Sequence, residues 1–286
     1  MSDVVFFLLF DYLGWDNVLS QPFYFQLDDS IFIYIKKSNA MEITKQLKNL
    51  GTVTVRQIEK QQAKEMIIKN HYSHKVNTNH GLYNFGIFRD GKLLGVTMYG
   101  YMMNPKAKIY KSSVENGMMI ELNRMWIDDE LGKNAESFLI STSIKLLKKI
   151  NPKIVAVQSF ADGRLGCGTI YKASNFKYYG YHYSLFYEVI ESSEVLHKVT
   201  IENQYNSTYI KYNEMLLNGE LKSFRVKTYR YIYPLDKSFE FLKGKEQPYP
   251  PYQKGLEYFD KKINKELIMR NIQTVKERFK HLLNNK

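Results

Sequence analysis

Between Pro152 and the Asp-Gly pair at 162–163, the run Ile154-Val155-Ala156-Val157-Gln158-Ser159-Phe160 is almost uninterrupted in apolar residues. Its length suits a strand, and a strand without a polar face is one that is covered on both sides. The chain must therefore build a sheet with packed layers on each face and place this segment near the middle. Ahead of it, Met118 to Ile127 reads as a second strong strand. Ala135 to Lys149 reads as a helix whose stripe runs through Phe138, Ser141, Ile144, Ile150 and their neighbours. Asn134 stands where that helix needs a cap, and Pro152 marks its exit.

The remaining segments supply further strands and the covering layers. Thr52 to Ile58 alternates as a strand, Glu59 to Asn70 has helical spacing at Ala63, Met66 and Ile67, and a polar loop runs from His71 to His80. Tyr83 to Phe88 and Lys92 to Met103 are strands joined by Asp90-Gly91, a pair that accepts the positive φ of a two-residue hairpin. Ile170 to Ser174 is a helical turn. After Tyr183-Ser184-Leu185-Phe186-Tyr187 the pattern weakens until a strand at Phe224 to Tyr233. Strands interspersed with helices give a mixed α/β, or α+β, class.

A chain of 286 residues holds one main domain with extensions. Residues 1–40, with strand-like runs such as Ile31 to Ile35, read as an appendage. They are either a strand pair packed on the domain or a segment ahead of an alternative start at Met41. Residues 41–242 form the catalytic domain, and 243–286 hold a linker with three prolines, Gly244 to Tyr252, and an amphipathic helix. Leu256, Phe259, Ile263, Leu267, Ile272, Val275, Phe279 and Leu282 mark that helix, which packs on the body or on a second copy as a homodimer.

The apolar run Val4 to Phe10 is too short for a bilayer and lacks a positive flank. The single Cys167 excludes a disulfide framework and a cysteine-based zinc cluster, which fits a reducing cytoplasm. The chain carries 41 Lys and Arg against 29 Asp and Glu, a formal charge of +12, so a polyanion is attracted. Aromatics reach 15%, and rings among cations suit stacked bases as well as phosphates. A basic surface alone is more often just that; the two signals together point to nucleic acid.

Strand, loop, helix start, second strand and then Tyr171-Lys172-Ala173-Ser174-Asn175-Phe176 resemble the GCN5-related acetyltransferase fold. The resemblance implies a coenzyme pyrophosphate on the amides at the helix start and Tyr171 protonating a leaving thiolate. Here the loop Asp128 to Ser137 lacks the usual glycines and carries carboxylates that repel a pyrophosphate. More narrowly, Glu121-Leu122-Asn123-Arg124-Met125-Trp126, Lys133-Asn134-Ala135-Glu136-Ser137 and the Tyr171 segment together resemble the Mom DNA-modification family of phages, over roughly residues 53–190. What that resemblance implies is a transferase placing a carbamoylmethyl-type, acyl-like group on N6 of adenine in double-stranded DNA, which shields phage DNA from restriction in the bacterial cytoplasm.

The donor is acetyl-CoA or another activated species, held at Lys133, Asn134 and Ser137. Tyr171, His71, Tyr72 and Asp162 are the expected catalytic groups, and Glu121, Asn123, Arg124 and Ser159 the substrate-binding ones. Several readings stay open. His71 is a base or ligand, or it caps its helix as a partly positive imidazole. Asp162 orients the base or forms an Asp-Gly turn. Glu121 and Arg124 are expected on one face of their strand and Leu122 and Asn123 on the other; they line the pocket or merely hold the sheet, and Glu121 is alternatively a base. No metal is assigned to His71, Tyr72 and Asp162. Two rival functions remain: an N-acetyltransferase acting on a protein or small amine, and a nonenzymatic DNA-binding protein.

Overall fold

The computed structural model describes residues 24–26, 32–34, 41–198, 200–201, 209–254, 258–260 and 262–284. The Val4 to Phe10 run lies outside them. In chain order come β1 (Tyr24–Gln26), β2 (Phe32–Tyr34), β3 (Glu42–Leu47), β4 (Gly51–Gln57), α1 (Lys60–Asn70), β5 (Tyr83–Arg89), β6 (Lys92–Tyr101) and β7 (Tyr110–Lys111). They are followed by β8 (Met118–Ile127), α2 (Ala135–Ile150), β9 (Ile154–Asp162), α3 (Thr169–Ala173), β10 (Lys177–Val189), β11 (Val195–His197) and α4 (Tyr209–Leu217). The chain continues through β12 (Leu221–Pro234), β13 (Glu240–Phe241), β14 (Tyr258–Asp260) and α5 (Lys265–Asn284). The fold is mixed α+β, with one large central sheet.

Among the described residues ten strands share that sheet, in the order β11-β10-β12-β9-β8-β6-β5-β4-β3, with β14 beside β12. Every pair is antiparallel except β8 with β9. Parallel neighbours need a long crossover, and α2 provides it. β9 is buried from Ile154 through Ser159, as a central strand should be. One face carries α2, whose Leu139, Ile140 and Leu147 join a core with Tyr99, Ile120, Val157 and Phe176. The other face carries α1, with Ala63 and Ile67 against Val96 and Met98, and a segment that sets Phe241 against Met119, Ala156 and Ile232.

Pairing between β8 and β9 runs only from Met118 with Ile154 to Glu121 with Gln158. Beyond that point β8 follows β6 and β9 follows β12, so the two parallel strands diverge. A bulge at Asn123, where the register against β6 shifts, adds to the divergence. The carboxyl ends of a parallel pair are where such sheets hold ligands, and here they open into a cleft.

Several expectations change. The buried stripe of α2 is centred on Leu139, Ile140, Ser143, Ile144 and Leu147, while Phe138, Ser141 and Ile150 lie half-buried at its flanks. The helix nests against both the sheet and α3, so its buried arc is wide. Asn134 makes no side-chain cap; it is left-handed (φ 72°), and its carbonyl takes the Phe138 amide and the Ser137 hydroxyl. The terminal helix begins at Lys265 rather than near Leu256, because 258–260 is spent pairing β14 with β12.

The weakly patterned region after β10 contains β11 and α4, which pack as a separate small core with Tyr187, Leu196 and Met215. The proline-bearing segment is fastened to the body. The Gln247 amide donates to the Tyr178 carbonyl and the Tyr249 hydroxyl to the Phe176 carbonyl. β1 pairs antiparallel with β2 in a sheet of its own. No helix among the described residues is long and apolar enough to cross a membrane.

Candidate active site

The cleft has a volume of about 1490 Å³ and is lined from both diverging strands, the loop after α1, and the segments after β9 and β10. Its apex is polar. Gln158 Nε2 donates to Glu121 Oε2 (2.8 Å), Gln158 Oε1 accepts from Arg230 Nη1 (3.2 Å), and Asn123 Nδ2 donates to Glu121 Oε1 (3.3 Å). Glu121 and Asn123 therefore act together, contrary to the expected pairing of Glu121 with Arg124. The bulge places all of residues 121–124 on the cleft wall. Burial raises the Glu121 carboxyl, against the pull of its Gln158 and Asn123 hydrogen bonds and of the Arg124 and Arg230 charges. Asn123 Oδ1 is buried against Gly100 without a hydrogen-bond partner.

On the opposite side of the apex stands Tyr171. The spacing from Tyr171 to Phe176 is a helix terminator: Asn175 adopts φ 63°, its amide donates to the Lys172 carbonyl, and the Phe176 amide donates to the Tyr171 carbonyl. The Phe176 ring then packs on the Tyr171 ring, with centroids 5.5 Å apart. At the other end of α3, Gly168 has φ 86°, and a β-carbon there would lie 2.5 Å from the Tyr231 ring. Ser159 Oγ lies 3.1 Å from the Leu122 carbonyl and donates to the Tyr171 hydroxyl oxygen at 2.9 Å. The phenol's own proton meets only the Phe160 carbonyl, at 3.5 Å. Burial raises Tyr171 to about 12, over the opposing effect of Ser159, so the phenol is protonated at neutral pH.

His71 follows the last residue of α1. Its Nδ1 accepts the Ser73 amide (3.1 Å), which places the neutral ring's proton on Nε2, and burial with Arg124 and His74 nearby lowers its pKa to about 4. His71 is the C-cap of α1 through its backbone amide, which donates to the Ile67 carbonyl, while its ring is an uncharged N–H donor at neutral pH rather than a positive imidazole. Tyr72 tilts against the His71 ring (centroids 4.2 Å), and its hydroxyl feels Asp162, Arg124 and Arg164. Desolvation, then Asp162, raises its pKa. Arg124 Nε donates to the Lys75 carbonyl and Nη1 to the Asn123 carbonyl, tying the loop after α1 to β8.

Asp162 is committed to Arg164, which reaches both carboxylate oxygens through Nε and closes a 2.5 Å contact through Nη2. It braces the loop rather than offering a free base. The cleft does not reach Lys133, Asn134 or Ser137, although it touches α2 at Glu136. The loop before α2 spends Asp128 on capping its own turn and Glu130 on Arg89 and Lys92. The first helical amides suit an anion. Glu136, in the first turn of α2, lines the cleft wall. Among the described residues no three His, Cys, Asp or Glu side chains converge as a metal site.

Gln158 and Arg230 are site residues that the sequence pattern does not single out; the available signal is that Arg230 is the one cation of the aromatic stretch Thr228 to Tyr233. It lies over the Phe160 and Phe241 rings at 4.9 and 5.1 Å.

Residues 52–251 match the model of the Mom protein family. The chain is 38% identical over 142 residues to the methylcarbamoylase mom of Escherichia phage Mu, a stretch that covers 49% of this chain and 57% of that protein. The chain thus spans little more than half the length of the curated relative it matches. Among solved structures, it is similar to an IAA acetyltransferase from Bacillus cereus (10% identity, TM-score 0.36, 64% of this chain and 99% of that one). It is similar at the same identity to Arabidopsis thaliana NAA60 in complex with acetyl-CoA (TM-score 0.39, 64% and 99%).

Proposed function

Because the chain belongs to the Mom protein family, we propose that it is a group-transfer enzyme acting on the exocyclic N6 of adenine in double-stranded DNA. Such a product would protect phage DNA from restriction in the cytoplasm of the bacterial host. The observation that carries this reading is the protonated Tyr171 phenol, fixed by Ser159 at the point where β8 and β9 part and within the field of Glu121, Tyr72 and Arg124.

The name of the phage Mu relative specifies a methylcarbamoyl group, CH3–NH–CO–, an isomer of the carbamoylmethyl group expected from the sequence. Acyl transfer at a carbonyl carbon suits this site better, because a neutral phenol and a neutral imidazole N–H are groups that stabilise a developing oxyanion or leaving group. In the reaction, N6 attacks the carbonyl carbon of an activated donor and a bond to the leaving group breaks. Glu121, raised by burial and wired to Gln158 and Arg230, receives the N6 proton; Tyr171 returns a proton to the leaving group. His71 Nε2–H and Arg124 polarise the carbonyl. Adenine must leave the stack to reach these groups.

Expression in a bacterial host, followed by digestion of the DNA and nucleoside mass spectrometry against synthetic standards of both isomers, tests the reading. The wild type should yield an adenine adduct, and Tyr171→Phe should lower its amount about 100-fold or more while the protein stays folded. Unmodified DNA together with acetylation of a protein or small amine would replace the reading with that of an N-acetyltransferase.

A further inference from the structure

The loop after β9 combines two properties that rarely go together. Its backbone is braced on every side: the Asp162 carbonyl takes the amides of Leu165 and Gly166, Asp162 Oδ1 takes the Arg164 amide, and the Gly163 amide donates to the Lys227 carbonyl. The Arg164 guanidinium stacks on the Phe186 ring at 4.3 Å, and the Tyr231 hydroxyl holds the Cys167 carbonyl. Yet the tip of this loop is Leu165, with 60% of its surface exposed at the border of the cleft. An exposed leucine on a mobile loop can fold onto nearby apolar surface. Here the backbone bonds hold it out in water.

Leu165 is not isolated. Tyr72 (58% exposed), Met103 (67%) and Tyr252 (72%) line the same cleft, and so do Arg124, Arg164, Arg230 and Lys254. Large apolar side chains gathered at one opening mark a surface that meets a partner. The chain's net charge of +12 draws a polyanion, and in the cleft lining Lys75, Arg124, Arg164, Arg230 and Lys254 stand against Glu121, Glu136, Asp162 and Glu194. A duplex that surrenders one adenine to the cleft leaves a gap in its base stack, and apolar side chains that enter a stack stabilise such gaps. Leu165 stands on a backbone fixed at both ends. It also sits three residues before Gly168, the start of the helix that carries Tyr171.

On the reading that the substrate is duplex DNA, we propose that Leu165 is the wedge that enters the stack when adenine turns into the cleft. The wedge acts on the opening of the duplex and not on the transfer step. It therefore matters for paired adenine and is dispensable for adenine in a single strand.

The test compares wild type with Leu165→Ala and Leu165→Met on duplex and single-stranded DNA of the same sequence, with thermal melting as a check on folding. Leu165→Ala should lower modification of the duplex about tenfold or more and change that of the single strand less than about twofold, and Leu165→Met should restore the duplex rate. Equal losses on both substrates, or none on either, would overturn the wedge. A second measurement stands apart from the chemistry: duplexes carrying 2-aminopurine in place of adenine, in each flanking context, should brighten on binding wild type and not on binding Leu165→Ala. If the wild type modifies no DNA, the transferase reading falls, and the wedge is then decided by this fluorescence. Brightening that is absent or equal with the two proteins overturns it.

Discussion

The two loops that face each other across the cleft, 71–80 and 162–168, are held by opposite means. The first is fixed largely by uncharged imidazoles and by carbonyls that accept from Arg124: His71 Nδ1 takes the Ser73 amide, His80 Nδ1 takes the Asn77 amide, and the Lys75 carbonyl takes Arg124 Nε. The second is fixed by an ion pair, Asp162 with Arg164, and by glycines at positive φ. A loop held by neutral histidines loosens when they are protonated. The comparison therefore assigns pH sensitivity to the wall that carries the histidines.

The largest test of that contrast is acid. His71 and His80 are both lowered from 6.5 to about 4, first by burial and then by the Arg124 charge. Between those values the unfolded chain binds protons that the folded chain refuses, so stability is full above about 6.5 and falls as the pH drops toward 4. The loss should amount to a few kcal/mol for the two together, and His80→Asn should flatten the curve of melting temperature against pH. Equal slopes in wild type and variant would remove His80 from the account. Next in size, Arg164→Ala should cost about 2 kcal/mol in chemical denaturation, because it leaves the largely buried Asp162 carboxylate without its partner. A cost below about 0.5 kcal/mol would remove the ion pair from the account of the second loop. The smallest effect sharpens the boundary of the first loop. Lys75 pairs with Glu194 on the surface, and Lys75→Ala should change stability by less than about 0.5 kcal/mol, a difference that salt erases.

The backbone plan was legible wherever periodicity and burial agree. The strands over 118–127 and 154–160, the hairpin at Asp90-Gly91 and the helix at 60–70 all stand where the sequence puts them, because each pairs a clear apolar pattern with a clear stop. Legibility failed where neighbours decide. α4 and β11 have little pattern of their own and are stabilised by packing on Tyr187 and Leu196. Residues 258–260 carry helical spacing yet join β12, since an open sheet edge offers backbone partners that local preference does not anticipate. In the site, Tyr171 was visible because its Asn-Phe terminator is a local device. The Glu121, Gln158 and Arg230 chain was not, since it joins three strands far apart in sequence.

By itself, the sequence determined the covered central strand, the crossover helix beside it, the basic and aromatic surface, and the family to which those motifs belong, because each is written in residues that are near neighbours along the chain. The tertiary structure decided how each candidate group is held. It bound Asp162 to Arg164, turned the His71 proton onto Nε2, kept Lys133, Asn134 and Ser137 out of the cleft, and brought Glu121 under Gln158. Protonation and orientation follow from burial and from partners across the sheet, and the linear order of residues carries neither.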